Sequence, residues 1–175
     1  MIKEKSIFSV LCFSLLLLSC KKEIAETKLD YNQKANELIQ QIILDESCGC
    51  ILEIPKESIS KINAAENPLS NIGEKIIIDL GLKNQKELDS LENISKNFDL
   101  DSSFLEQNSV VVFKRNTIKE ISKDNNILKK CPNGIQYFLK PIFNKKYDKA
   151  YIRYGEAFMC LSTPGATYKF ENDRW

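Results

Sequence analysis

The chain of 175 residues contains no histidine. That absence removes the commonest general base near neutral pH, the commonest zinc and copper ligand, and the central member of any Ser-His-Asp or Cys-His arrangement. With only six glycines there is no glycine-rich phosphate loop, and no G-x-S-x-G surrounds any serine. Charge of one sign is missing as well: 25 lysines and arginines stand against 24 aspartates and glutamates, with no long basic run. Nucleic-acid binding draws on counterion release from a basic surface, so no nucleic-acid partner is expected. There is no internal repeat and no low-complexity stretch. Carboxylates such as Glu53, Asp99, Asp101, Glu156 and Glu171 could furnish a pair for glycoside chemistry, but on a neutral, acid-rich surface a solvated role is the simpler account. The weight falls against an enzyme, and no cofactor or metal is implied.

The first residues read as an address. MIKEKS sets Lys3 and Lys5 against Glu4, and an apolar run from Ile7 to Leu18 follows, broken only by Ser9 and Ser14. A run of this length is too short for a permanent transmembrane helix and fits a secretory leader. Leu17-Leu18-Ser19-Cys20 resembles the bacterial lipobox. The resemblance implies cleavage before Cys20, which then carries a diacylglyceryl thioether and an N-terminal acyl chain such as palmitate. An anchor of several chains is effectively permanent where one chain is marginal. Residues 1–19 are then the leader, 20–29 the lipidated N-terminus and tether, and 30–175 a single domain. Cleavage removes Lys3, Lys5 and Glu4 and leaves 23 residues of each charge sign.

Two further resemblances refine the address. No aspartate follows Cys20, unlike the inner-membrane retention signal of enterobacterial lipoproteins, and Cys20-Lys21-Lys22-Glu23 is partly similar to the export pattern of surface lipoproteins of the Bacteroidota. The segments PIFNKKYDKAYIRYGEAFMC and GATYKFENDRW resemble the C-terminal part of small uncharacterised lipoproteins of that group. Together these imply a location in the cell envelope, lipid-anchored at the outer membrane on its periplasmic face or at the cell surface. They carry no activity.

Apart from Cys12, which leaves with the leader, and Cys20, four cysteines remain: Cys48, Cys50, Cys131 and Cys160. An even number in an exported domain is most simply a disulfide framework. A Cys48–Cys50 bond would form a very tight ring, so each is expected to reach Cys131 or Cys160. The alternatives are a thiolate metal site, for which a lone C-x-C is a weak signal, and a redox or free-thiol role.

Periodicity outlines the domain. Asp30 is a candidate N-cap, with Tyr31, Ala35, Leu38 and Ile42 at helical spacing and Ile39 and Ile43 widening the stripe, ending near Glu46. Cys50 to Ile54 alternates as a strand closed by Pro55. Residues 56–71 are polar and irregular, with one helical turn around Ile59 and Ile62. Helices are expected over 71–80, stopped by Gly81, and from Asn84 with Glu87 in capping position and Leu88, Leu91, Ile94 and Phe98 on one face. Ser109 to Lys114 reads as a strand, and 115–133 is ambiguous. Ten of the sixteen aromatic residues lie between Gly134 and Trp175, where strands are expected over 135–143, 150–154 and 167–171, with a turn at Pro164-Gly165. The result is an α+β fold with N-terminal helices packed on a C-terminal antiparallel sheet.

On the strand 150–154, alternation places Ala150, Ile152 and Tyr154 on one side and Tyr151 and Arg153 on the other. Core packing explains the first side. Tyr151 and Arg153, with Lys169 on a neighbouring strand, form a candidate recognition surface for a protein or envelope ligand. The expected function is therefore a membrane-anchored extracytoplasmic lipoprotein with a non-enzymatic binding domain. The alternative is thiol-based redox or metal handling at Cys48 and Cys50.

Overall fold

A computed structural model describes residues 31–66, 71–121, 123, 127–157 and 165–175. The fold is α+β: among the described residues the helices lie between residues 31 and 130 and the antiparallel strand pairs beyond residue 135. In chain order the elements are α1 (31–45), β1 (Cys50–Leu52), α2 (Ile59–Glu66), α3 (Ile72–Leu80), α4 (Gln85–Ser95), α5 (Ser102–Gln107), β2 (Val111–Phe113), a 3₁₀ turn (Arg115–Thr117), α6 (Ile118–Ile121), α7 (Ile127–Lys130), β3 (Gln136–Phe138), β4 (Ile142–Phe143), β5 (Lys149–Ile152), β6 (Tyr154–Glu156) and β7 (Ala166–Lys169). Among the described residues no helix is long and apolar enough to cross a membrane.

Helix α1 forms because its apolar residues recur at three and four, and it buries that stripe completely: Tyr31, Ala35, Leu38, Ile39, Ile42 and Ile43 all lie in the core. It stops where Ser47 turns left-handed at φ 52° and the Cys48 amide donates back to the Ile43 carbonyl at 2.8 Å. Side-chain caps start α3 and α4. Asn71 accepts from the Glu74 amide and Asn84 from the Glu87 amide, and Gly81, left-handed at φ 67°, ends α3. Leu88 and Leu91 of α4 join a cluster with Ile59, Ile76 and Leu80, whereas Ile94 and the following Phe98 join the cluster around α1.

Two elements depart from the expected layout. The segment 56–71 contains the eight-residue helix α2, and the polar stretch after α4 contains α5, capped by Asp101, which accepts from the Ser103 amide at 2.9 Å and the Phe104 amide at 3.4 Å.

The strands form two sheets instead of one. The first has the order β2-β1-β3-β6, with β1 parallel to both β2 and β3 and only β6 antiparallel; the second, β4-β5-β7, is wholly antiparallel. Side chains alternate across β1, so Ile51 faces α1 and α5 while Cys50 and Leu52 face α6 and α7. The first sheet therefore has helices on both faces.

The long strands expected over 135–143 and 150–154 each break in two at the junction between the sheets. Phe138 pairs with Tyr154 and Ile142 with Tyr151, so residues 139–141 oppose only residues 152 and 153. This extra residue is a β-bulge, and Pro141, lacking an amide hydrogen, is suited to it. The bulge falls where the chain passes from one sheet to the other.

Candidate functional site

A cleft of about 670 Å³ opens at the carboxyl ends of the three parallel strands. Each strand contributes residues from just beyond its carboxyl end. Glu53 to Glu57 follow β1, Arg115 stands two residues after β2, and Lys140 stands two residues after β3. Phe98 and Leu100, from the α4–α5 connection, and Leu105 of α5 form an apolar wall. In sheets with parallel strands, ligands bind beyond the carboxyl ends, where successive connections leave for opposite faces. Here the connection from β1 to β2 passes through α5 and that from β2 to β3 through α6 and α7, on opposite faces of β1. The cleft lies at that switch point, and its volume is within the range of small-molecule sites.

Two cations define its chemistry. Lys140 is 3% exposed, and its Nζ donates to the main-chain oxygen of Lys56 at 2.5 Å. Burial pushes its ammonium below the ordinary lysine value, Glu57 opposes that shift and Lys96 adds to it. Arg115 donates through Nε to the main-chain oxygen of Glu53 at 2.8 Å, while its Nη2 is shielded from solvent and meets no acceptor among the described residues. Burial lowers its pKa too, against the opposing fields of Glu66, Glu57 and Glu53, but an arginine stays charged. None of the ion pairs among the described residues involves Arg115 or Lys140.

The cysteines resolve differently from an all-reactive C-x-C. Cys50 is bonded to Cys131, S–S 2.07 Å, tying β1 to the loop before β3. Cys48 is buried and has no cysteine partner among the described residues; burial, with the Glu46 charge, pushes its thiol up to about 11. Cys160 and Cys20 lie outside the described residues. No three cysteine or carboxylate side chains among the described residues converge as metal ligands.

The expected recognition surface is not exposed in the form the alternation implied. Tyr151 is fully buried in the cluster with Ile76 and Leu139, and Arg153 is 7% exposed and paired with Glu66 at 2.9 Å. Only Lys169 is exposed, opposite Lys149 on the neighbouring strand. The reason is that β5 is the central strand of its sheet and is covered on both faces, by α1 on one and by α2, α3 and α4 on the other.

No family model, no curated protein and no solved structure matches this chain. Of the acidic residues considered for hydrolysis, Glu53 and Asp99 line the cleft, Asp101 caps α5, Glu156 is exposed on β6, and Glu171 pairs with Arg174 through the backbone alone. Ser58-Ile59-Ser60-Lys61 has the Ser-x-x-Lys spacing of some serine nucleophiles. The Ser58 hydroxyl is buried without a partner and Lys61 is exposed, so this serine has no base hydrogen-bonded to it. Arg115 and Lys140 were not singled out in the sequence. Their only local signal is a basic residue two places after an apolar strand, in VVFKR and in YFLKP.

Proposed function

We propose that the chain is an exported binding domain, anchored through acyl chains on Cys20 to the outer membrane, that takes a small ligand in the cleft beyond β1, β2 and β3. The observation that carries the binding reading is Lys140. A buried cation held only by a main-chain oxygen is unfavourable unless an anion or a dense set of acceptors meets it, and such groups concentrate at functional sites. The Cys50–Cys131 bond supports the exported part, because persistent disulfides belong to oxidising compartments. It also removes Cys50 from any C-x-C chemistry, and the raised pKa of Cys48 disfavours the thiolate that redox or metal handling requires. The structural disulfide is therefore favoured over the thiol-based alternative.

The anchor is tested by labelling cells that express the chain with a palmitate analogue and fractionating them. Label and membrane association should both be lost in Cys20→Ser; a Cys20→Ser variant that remains labelled and sediments with membranes sinks the lipid-anchor reading.

A further inference from the structure

The lining of the cleft specifies more than the presence of a ligand. Four cationic side chains, Lys56, Lys96, Arg115 and Lys140, and three acidic ones, Glu53, Glu57 and Asp99, surround it. The surplus is one positive charge, which a monoanion neutralises and a dianion overshoots. The donors point to the same ligand. Lys140 carries two N–H groups beyond the one bound to Lys56, and the Nη2 of Arg115, which also lines the cleft, is shielded from solvent and has no acceptor of its own among the described residues. A guanidinium fork and an ammonium together suit a group with two oxygens. The rest of the wall, which includes Ile54, Pro55, Phe98, Leu100, Leu105 and Val112, offers no charge, and Val112 is 44% exposed, where the body of an apolar ligand would cover it.

We infer that the cleft binds an amphiphile with a single carboxylate head and an apolar body, the carboxylate meeting Arg115 and Lys140 and the body lying along Phe98, Leu100 and Leu105. This rests on the binding reading above and goes beyond it in naming the ligand class. The polar end enters toward the strand ends, and the apolar end lies against the α4–α5 connection.

The test uses the intact lipidated protein in nanodiscs, with empty nanodiscs as the blank, titrated calorimetrically with three probes of one skeleton: 4-phenylbutyrate, 4-phenylbutanol and 4-phenylbutyl phosphate. Saturable binding of phenylbutyrate is expected, at least tenfold tighter than that of the alcohol and tighter than that of the phosphate. Arg115→Gln and Lys140→Met should each weaken it at least tenfold, and Lys86→Met on the exposed side of α4 should leave it unchanged. Thermal unfolding of each variant is measured alongside; if Lys140→Met unfolds early, Arg115→Gln and the charge-keeping Arg115→Lys decide. Absence of saturable phenylbutyrate binding, or binding indifferent to the Arg115 variants, overturns the inference. Tighter binding of the phosphate or the alcohol, still weakened by the Arg115 variants, overturns the carboxylate assignment and leaves the cleft standing as a ligand site. Indifference of all three probes to every variant removes both.

Discussion

Arg115 Nε donates to the main-chain oxygen of Glu53 at 2.8 Å, joining the residue two places beyond β2 to the residue one place beyond β1. The bond crosses 62 positions of sequence and fixes the rim of the cleft, since the Glu53 amide in turn donates to the Phe113 carbonyl at 2.8 Å. A hydrogen bond from a charged donor is worth roughly 1.5–3 kcal/mol, and partial exposure places this one at the low end. Arg115→Ala should therefore lower stability by about 1.5 kcal/mol in urea titration, with an unchanged m-value. A loss below about 0.3 kcal/mol would mean that the rim is held by the strand pairing alone.

Lys140 makes the opposite prediction. Its ammonium is buried without a carboxylate partner, so exchanging it for an apolar side chain of similar length removes a desolvated charge at the loss of one bond to Lys56. Lys140→Met should be neutral or stabilising by about 1 kcal/mol at pH 7. Because burial lowers the pKa of Lys140 in the folded state, the unfolded chain holds that proton more tightly. Wild-type stability then gains as pH rises from the lowered folded value toward the ordinary lysine value, and is held back below that window. The advantage of Lys140→Met should thus shrink as the pH approaches about 10. Denaturant titrations of both proteins from pH 7 to pH 10.5 check this, and an advantage that grows with pH contradicts it.

The Cys50–Cys131 bond closes a loop between residues 81 apart, and the chain-entropy estimate for such a loop is about 4–5 kcal/mol. Cys131→Ser should lose most of that, and peptide mapping without reductant should recover Cys50 and Cys131 in one linked species. Cys48 supplies a second readout. Burial and Glu46 hold its thiol near 11, so at pH 8 it should resist iodoacetamide in the folded protein and react once the protein is unfolded in urea. Rapid alkylation of Cys48 in the native state would contradict its burial.

The parts of this fold that were legible in the sequence are those whose determinants are local. The stripe from Tyr31 to Ile43, the start at Asn84 with Glu87 in capping position and the stop at Gly81 each encode their element within a few residues. Helix α2 was legible only as one turn around Ile59 and Ile62, and α5 not at all, because they bury little: Ile59 and Asn63 in the first, and no fully buried residue in the second. The parallel pairing of β1 with β2 and β3 depends on residues about 60 to 85 positions apart, for which alternation gives no signal. The same distance concealed the cleft, because Glu53, Arg115 and Lys140 become neighbours only when the three strand ends align. For Tyr151 and Arg153, alternation separated two faces but could not reveal that both are covered.

Gly165 tests how closely the second sheet is packed. A Cβ built there would lie 2.1 Å from the Tyr151 hydroxyl, 2.3 Å from Cζ and 2.6 Å from Cε1. Tyr151 cannot retreat: its ring is fully buried, and its strand is paired on both edges, with β4 and with β7. Overpacking of this kind costs about 1–3 kcal/mol, so Gly165→Ala should lower the unfolding free energy by roughly 2 kcal/mol. Removing only the hydroxyl, in Tyr151→Phe, should not restore the loss, because the two ring carbons would still clash. Gly49, between Cys48 and Cys50, provides the control. A Cβ there meets nothing within 4 Å, so Gly49→Ala should be neutral or stabilising by up to about 1 kcal/mol through the reduced freedom of the unfolded chain. Equal losses at the two glycines would show that backbone conformation, not the Tyr151 ring, sets the requirement at Gly165.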